Sequence, residues 1–368
     1  MRILICPDSY KGSATAPEVA QAIREGIACV DGSIECISLP VADGGEGSVS
    51  VIGDLLCADN VTCEVTGPYG ERVRARYAMA GTCAYIEMAE ASGLCLSLRR
   101  ECEYATTYGT GELILDAVSR GARRIVVFIG GSATCDGGLG MAAALGYSFC
   151  SFDGQMLEPI GKSMKSVARI IPPDRDLLCG AEVICASDVK NVMYGELGAA
   201  FVFAPQKGAD ENVVRELDTG LKNLARVIER DLGVSLHTLE GGGAAGGLGA
   251  GLYAFARARM CGGFELIARV LSLEAEIEKA DLVITGEGCT DYQSMMGKVI
   301  GNIAQTCAVH SKKCVLISGL VKDAQRLVGL GVYRSYQSSS YATTVDESIR
   351  NAKKYITLAA ADMMREFI

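Results

Sequence analysis

Apolar and polar positions alternate along the chain with two different periods. The apolar run Arg2–Cys6 predicts a strand, and apolar residues at helical spacing predict a helix from Pro17 to Cys29, capped by Thr15 or Ser13. The next strand is predicted at Ile34–Leu39 and the next helix at Val49–Leu56. Strands that alternate with helices in this way are typical of a parallel sheet flanked by helices.

The pattern changes near residue 61. Val61–Thr66 and Arg72–Met79 alternate on either side of the turn residues 67–70, which predicts an antiparallel hairpin. Later segments predict strands at Ala84–Met88, Arg124–Ile129, Val183–Ala186 and Ala200–Phe203, and helices at Gly111–Val118, Gly137–Leu145 and Asp210–Leu232.

Strand–helix alternation returns near residue 265. Helices are predicted at Phe264–Leu271, Ala275–Ala280, Gly297–Ala308, Val321–Gly329 and Glu347–Phe367, and strands at Asp281–Thr285, Lys313–Ser318 and Tyr333–Gln337. The pattern therefore predicts two α/β domains: one built from residues 1–64 and 265–368, and a second inserted at 65–264. An inserted domain is joined by two crossings, which predicts a cleft and a hinge between the domains.

Charge and composition exclude several classes of protein. Lys and Arg number 35 against 44 Asp and Glu, a net charge of −9 with no basic run, which argues against nucleic-acid binding. No apolar run reaches the roughly 18 residues of a membrane helix, and the N-terminal apolar stretch is shorter than the core of a signal peptide. Two histidines, His237 and His310, leave little room for a histidine triad or zinc cluster. We expect a cytoplasmic protein with neither nucleic-acid nor membrane partners.

Cysteine is abundant, with 16 residues. No CxxC spacing occurs, and many of the cysteines lie in apolar runs, as Cys185 and Cys314 do. A buried thiol behaves as a small apolar side chain, and cytosolic proteins keep their thiols reduced. We therefore expect free thiols rather than a disulfide framework or a metal site.

Five segments combine glycine with acidic, hydroxyl or lysine side chains. They are residues 7–13, 42–48, 130–138, 205–208 and 285–291. Glycine lets backbone N–H groups approach an anion, and a helix N-terminus favours negative charge. Carboxylates beside such loops repel a phosphate unless Mg²⁺ lies between them. The five loops together predict phosphoryl transfer with a magnesium–nucleotide complex, although each loop alone is also explained as a tight turn with capping residues.

The loops belong to longer stretches whose order along the chain resembles the bacterial glycerate kinase family, of the class I glycerate 2-kinase type. The stretches are PDSYKGS, ADGGEGS, VTGPYGE, TTYGTGEL, GGSATCDGG, SDVKN, APQKGA, GGGAAGGLGAG and ITGEGCTDYQS. The resemblance implies a Rossmann-like parallel-sheet domain interrupted by an inserted α/β domain, with the active site in the interdomain cleft. It also implies ATP and Mg²⁺ as cofactors and transfer of the γ-phosphate to D-glycerate, usually giving 2-phosphoglycerate. We expect a monomer or homodimer.

Three positions depart from the family pattern. Cys135 replaces an Asn, Cys289 replaces an Arg, and the stretch at 297–301 lacks the family's proline. A guanidinium binds a carboxylate or phosphate through two hydrogen bonds, which a thiol cannot do. The loss of that Arg leaves two alternatives open: a kinase of a related small hydroxy acid, or a catalytically weakened ligand-binding homologue.

The chemistry of the side chains suggests individual roles. Asp188, which follows the strand predicted at Val183–Ala186, is the candidate base for the attacking hydroxyl. Lys11 and Lys207 are candidates for neutralising a phosphate or the glycerate carboxylate, with a solvated lysine as the alternative in each case.

The remaining candidates are expected to bind substrate, phosphate or metal. Asp43 and Asp291 are candidate Mg²⁺ ligands, and Asp8 is a further candidate for Mg²⁺ or a substrate hydroxyl. Ser132 is also explained as a helix cap. Asp43 and Asp291 are also predicted to bind substrate or phosphate. The other predicted binding residues are Ser9, Gly44, Gly45, Gly130, Gly131, Gly246, Gly247 and Glu287.

Overall fold

The structure is a computed structural model that describes the chain except for residues 43, 46, 292, 293, 295–298, 323, 325, 326, 328 and 330. The described strands are β1 (Arg2–Ile5), β2 (Glu35–Ser38), β3 (Asp59–Thr66), β4 (Arg72–Ala80), β5 (Cys83–Glu87), β6 (Arg124–Phe128), β7 (Ser148–Cys150), β8 (Arg169–Ile171), β9 (Glu182–Ala186), β10 (Arg259–Cys261), β11 (Leu282–Thr285), β12 (Cys289–Thr290), β13 (Lys313–Ser318), β14 (Leu320–Val321) and β15 (Val332–Gln337). The described helices are α1 (Ala16–Ala28), α2 (Ser48–Leu56), α3 (Ala89–Ser92), α4 (Tyr108–Ser119), α5 (Leu139–Ala144), α6 (Ala199–Phe203), α7 (Glu211–Leu232), α8 (Leu248–Phe255), α9 (Gly263–Val270), α10 (Leu273–Lys279), α11 (Val299–Val309), α12 (Val345–Arg350) and α13 (Ala352–Phe367).

Contacts divide the chain into two compact units. The first unit joins Met1–Asp43 to Phe264–Ile368, and the second is Gly44–Gly263. The sequence pattern predicts that residues 44–64 belong with the first unit. They group with the second because β3 pairs with β4 along its whole length, and because the Val49 N–H of α2 donates to Glu87 Oε1 on β5 at 2.7 Å. A functional division into domains with an active site in a cleft stays a prediction.

The first unit contains a five-stranded parallel sheet in the order β15-β13-β11-β1-β2. Ile3 of β1 pairs with Leu282 of β11 on one side and with Cys36 of the edge strand β2 on the other. Parallel strands are covered on both faces, so they are apolar along most of their length, and all of Leu282–Thr285 is buried accordingly.

Helix α1 covers this sheet together with α13. Thr15 caps α1 and forms a capping box with Glu18, as the sequence predicted. The backbone N–H of Thr15 and the nearby ammonium of Lys353 on α13 lower the pKa of Glu18 to about 2. Ile23 of α1 and Ile356 of α13 join one apolar cluster with the sheet residues.

The second unit contains a six-stranded mixed sheet in the order β10-β9-β6-β5-β4-β3. The predicted hairpin is present: β3 and β4 are antiparallel, with Val61 opposite Tyr77. From β5 onward, β6, β9 and β10 are parallel neighbours. The long helix α7 begins at the cap Asp210, which accepts the Val213 N–H, and ends at Gly233.

Three sequence predictions differ from the structure. Ala200–Phe203 is helical within α6, because a short apolar run does not reveal its period and the helix buries only Ala199 and Ala200. The predicted helix Glu347–Phe367 is interrupted at Asn351, where α12 ends before α13 begins. Val321, the predicted start of a helix, pairs instead with Thr290 in a two-stranded sheet; much of the remaining predicted helix lies outside the described residues.

All sixteen cysteines are free thiols. Among the described helices, none combines the length and apolarity that a membrane crossing requires.

Candidate active site

Predicted site residues of the second unit follow two neighbouring strands. Phe128 of β6 pairs with Ala186 at the end of β9. Gly130 follows β6, and the half-buried Asp188 follows β9. The strands are parallel, so their following loops leave the same edge of the sheet, where α/β proteins bind ligands.

Lys207 lies in a short 3₁₀ turn after α6, and its side chain is buried with only 3% exposure. Its Nζ donates to Ser132 Oγ at 2.6 Å and to the Thr134 carbonyl oxygen at 2.7 Å. The structure thus brings two predicted site residues, Lys207 and Ser132, into direct contact, and Ser132 is an acceptor for the lysine.

The electrostatic setting of Lys207 is unusual for a lysine. Burial lowers the pKa of its ammonium. Among the described residues, no carboxylate lies within 4.0 Å of Nζ, and its hydrogen bonds go to neutral oxygens. Close by, Thr134 Oγ1 is buried without a hydrogen-bond partner in the described part of the chain. A buried cation beside an unsatisfied hydroxyl is a setting that an anionic ligand would stabilise.

The buried carboxylate of Asp136 stabilises the loop after β6 through hydrogen bonds. Its Oδ2 accepts the Thr107 N–H and hydroxyl, both at 2.8 Å, and the Gly140 N–H at 3.1 Å. Its Oδ1 accepts the Gly138 N–H at 3.0 Å. Burial raises the pKa of Asp136, and these four donated hydrogen bonds oppose that shift. The carboxylate therefore joins the start of α5 to the start of α4 and holds the loop that carries Ser132.

Cys135, one of the departures from the family pattern, is fully buried next to Asp136. Burial raises the pKa of its thiol, and the positive charge of Lys207 opposes that shift only in part. The side chain is therefore a neutral thiol inside the protein.

The predicted glycines of this unit contact one another through backbone atoms. A Cβ on Gly130 would lie 2.6 Å from Gly45 Cα, so Gly44 and Gly45 lie against the loop after β6. The Gly137 N–H donates to the Gly246 carbonyl at 3.0 Å, and a Cβ on Gly247 would lie 2.9 Å from Gly137 Cα. Asp43 lies outside the described residues. Gly131 follows Gly130 in the same loop, with a left-handed φ of +75°.

In the first unit, four predicted residues line one pocket of about 470 Å³: Asp8, Ser9, Lys11 and Glu287. The departure Cys289 also lines this pocket and is exposed. The pocket thus brings together side chains from two of the glycine-containing segments singled out in the sequence.

Hydrogen bonds fix the loop after β1 against neighbouring strands. The Asp8 N–H donates to the Gly286 carbonyl at 2.8 Å, and the Tyr10 hydroxyl donates to the Ile317 carbonyl at 2.7 Å. The Ser9 N–H donates to Asp8 Oδ1 at 2.6 Å. Burial raises the pKa of Tyr10, so its hydroxyl keeps its proton and its role as a donor. Asp8 is therefore held in one orientation beside the pocket.

Asp291 is not among the residues that line this pocket. Its Oδ1 accepts the Ser294 N–H at 3.2 Å, an arrangement typical of a capped turn. Its predicted role as a metal ligand stays a prediction.

Sequence reasoning missed two groups of residues at these sites. Thr107 and Asp136 both lie in stretches that carry the family resemblance, so a signal for them was present. The apolar residues Val345 and Ile349, which line the pocket of the first unit, carry no such signal.

Comparisons with known proteins show the family to which the chain belongs. The sequence model described as "Glycerate kinase family" matches residues 3–368. The chain is 40% identical to the glycerate 2-kinase of Escherichia coli (strain K12) over 373 residues, which covers 99% of this chain and 97% of the relative. It is 38% identical to the glycerate kinase of Halalkalibacterium halodurans over 370 residues, covering 98% and 97%. A structure described as "Crystal structure of putative glycerate kinase 2 from Salmonella typhimurium LT2" superposes with a TM-score of 0.85 at 39% identity, covering 100% of this chain and 98% of that one. The chain is therefore a kinase that belongs to the glycerate kinase family.

Proposed function

We propose that the protein transfers the γ-phosphate of ATP to a hydroxyl of D-glycerate, with Mg²⁺ bound to the nucleotide, and that the product is 2-phosphoglycerate. In this reaction the glycerate hydroxyl oxygen forms a bond to the γ-phosphorus while the bond from that phosphorus to ADP breaks. The hydroxyl proton passes to a base. Relatives at about 40% identity bear the name glycerate kinase, which supports the substrate.

The observation that carries the proposal is the buried ammonium of Lys207, which donates to Ser132 and Thr134 on the loop after β6. Every substrate and product of this reaction is an anion, and phosphoryl transfer depends chiefly on positioning and on stabilising negative charge. In the proposal Lys207 binds a phosphate or the glycerate carboxylate, while Ser132 keeps its ammonium in place. Lys11 supplies a second positive charge in the first unit.

Asp188 is proposed as the base that accepts the hydroxyl proton. It follows β9, the strand next to β6, so it leaves the same sheet edge as the loop that holds Ser132. The chain's only histidines, His237 and His310, are hydrogen-bonded to Tyr194 and Glu274 respectively. A carboxylate therefore suits the role better than either imidazole.

Carboxylates in the first unit fit a magnesium ion that accompanies a nucleotide. No described group of three or more His, Cys, Asp or Glu side chains is arranged to hold a metal. Mg²⁺ in nucleotide sites needs only one or two protein carboxylates, because phosphates and waters complete its octahedron. Asp8 and Glu287 line one pocket and would supply such oxygens; a role for Asp43 and Asp291 stays a prediction. The ion would neutralise charge on the phosphates.

A coupled assay of ADP release tests the proposal directly. We expect ADP formation that requires both D-glycerate and Mg²⁺, and a product whose NMR spectrum places the phosphate on the second carbon. The absence of D-glycerate-dependent ADP formation would refute the function. A phosphate on the third carbon would refute only the regiochemistry. The monomeric or dimeric state and the cytoplasmic location stay predictions.

A second candidate is a kinase of a related small hydroxy acid. It is favoured by Cys289, an exposed thiol in the pocket of Lys11 where the family pattern has an Arg. A panel of hydroxy acids compared by kcat/KM separates the two candidates. D-glycerate should have the highest value if the first proposal is right.

A further inference from the structure

The pocket of the first unit lies where the direction of its sheet reverses. From β1 the chain moves to β2 on one side, whereas β11, β13 and β15 follow one another outward on the other side. Residues that follow β1, β11, β13 and β15 all line the pocket, as Lys11, Glu287, Gly319 and Ser338 do. The crevice at the carboxyl ends of strands beside such a switch point is the usual ligand site of an open parallel sheet.

Part of the pocket lining is aliphatic and exposed. Leu320, Val345 and Ile349 all line it, and they are 41%, 74% and 46% exposed respectively. Exposed aliphatic side chains that cluster in a cavity mark a binding surface for an apolar or aromatic group. D-glycerate is a small hydroxylated acid and has no such group.

The rest of the lining includes polar side chains and both signs of charge. Lys11 offers a cation, Asp8 and Glu287 offer carboxylates, and Ser338 and Ser339 offer hydroxyls. These groups suit phosphates, a magnesium ion and sugar hydroxyls. The pocket has a volume of about 470 Å³, within the range of about 300–1,000 Å³ that is typical of sites for drug-sized ligands. Such ligands are far larger than D-glycerate.

We infer that this pocket is the nucleotide subsite, with the base against the aliphatic side chains of Leu320, Val345 and Ile349 and the phosphates toward Lys11. The inference rests on the proposed function, which requires a nucleotide, but it names residues that the proposal does not. It also assigns Cys289 to the nucleotide rather than to glycerate. The missing Arg then affects nucleotide affinity and leaves the choice of hydroxy acid unchanged.

Cys289 gives the first test, because its exposed thiol reports occupancy of the pocket without any turnover. The intact protein is treated with a limiting amount of iodoacetamide, and the alkylation rate of each cysteine is followed by peptide mass spectrometry. Cys179, an exposed thiol in the second unit, serves as the internal reference. ADP at about ten times its Kd should slow alkylation of Cys289 about tenfold while that of Cys179 stays constant. Adenosine should also protect Cys289, whereas D-glycerate alone should not.

Protection by D-glycerate alone would overturn the inference and assign the pocket to the acceptor. Unchanged alkylation at an ADP concentration that inhibits turnover would also overturn it, while leaving the proposed function intact. Protection by ADP in a protein without D-glycerate-dependent turnover would support the pocket and refute the proposed function. The two failures are therefore distinguishable.

A matched pair of valines gives the second test. Val345 is 74% exposed in the pocket, and Val309 is 73% exposed at the end of α11, outside the lining. Val345→Asp should raise the KM for ATP about tenfold by removing apolar contact with the base. The KM for D-glycerate should stay constant, and Val309→Asp should change neither value. Position 345 opens α12, where an acidic residue is favourable, so we expect the variant to fold. An unchanged KM for ATP in folded Val345→Asp would refute the placement of the base.

Discussion

Replacing Asp136 with asparagine tests whether this carboxylate holds the loop after β6. The substitution keeps the size of the side chain but removes its charge and turns one acceptor into a donor. The best orientation keeps the amide oxygen toward Thr107 and Gly140, where it still accepts three hydrogen bonds. The amide NH₂ then faces the Gly138 N–H, so two donors meet and neither is satisfied.

The expected destabilisation follows from these contacts. An unsatisfied buried N–H costs about 1–3 kcal/mol, and each of three hydrogen bonds to a charged oxygen weakens by about 1 kcal/mol when that oxygen becomes neutral. Relief from burying a charge offsets part of this sum, in keeping with the raised pKa of Asp136. We expect a net loss of about 3 kcal/mol. For a domain of this size that lowers the Tm by about 6–12 °C.

Thermal unfolding by circular dichroism measures the effect, and hydrogen exchange at the amides of Thr107, Gly138 and Gly140 locates it. The control is Asp153→Asn, an exposed aspartate of the same unit whose side chain accepts from Ser151. Faster exchange should be confined to the second unit in Asp136→Asn and absent from the control. If Asp136→Asn unfolds at the temperature of the control, with unchanged exchange at the three amides, the carboxylate does not hold the loop.

Three further predictions concern turnover. Lys207→Met should lower kcat by about 10²–10³. Because burial lowers the pKa of Lys207, the ammonium is lost as pH rises through a value below lysine's ordinary 10.5. The alkaline limb of kcat/KM should therefore lie below that value and move upward in Lys207→Arg; an unmoved limb would exclude Lys207 as its source. Asp188→Asn should lower kcat by about 10²–10⁴ with little change in KM, and a variant that retains the wild-type rate would exclude Asp188 as the base. Cys289→Arg should lower the KM for ATP and not the KM for D-glycerate, and the opposite pattern in initial rates would assign position 289 to the acceptor.

Long periodic segments were predicted well because one face of each is buried along many residues. The helix predicted at Asp210–Leu232 is α7, whose apolar residues recur every three or four positions. Ala200–Phe203 was predicted as a strand because so short a run has no measurable period. The grouping of β3 with the second unit depends on its pairing with β4 rather than on any local preference.

At the candidate site, the sequence indicated residues that follow strands but not those that complete the pocket. Asp8 and Glu287 follow strands that the sequence predicts, but their approach to one pocket depends on the pairing of β1 with β11, which the sequence does not reveal. Val345 and Ile349 come from α12, and their aliphatic side chains look like ordinary helix residues. Only the fold shows that they stay exposed within a cavity that also holds Lys11.

Two different physical requirements explain the glycines of the loops: close packing at some positions and a left-handed backbone at others. Neither requirement depends on a bound phosphate. A Cβ on Gly246 would lie 2.1 Å from the Thr134 carbonyl oxygen, so packing alone requires glycine there, with or without a phosphate. A Cβ on Gly12 would meet no atom within 4 Å, so packing does not require glycine at that position. Glycine is favoured there because the backbone has a left-handed φ of +79°. The presence of glycine at position 246 is therefore not evidence for phosphate binding. The argument for an anion rests instead on the side chain of Lys207, whose ammonium is buried and, within the described part of the chain, donates only to neutral oxygens.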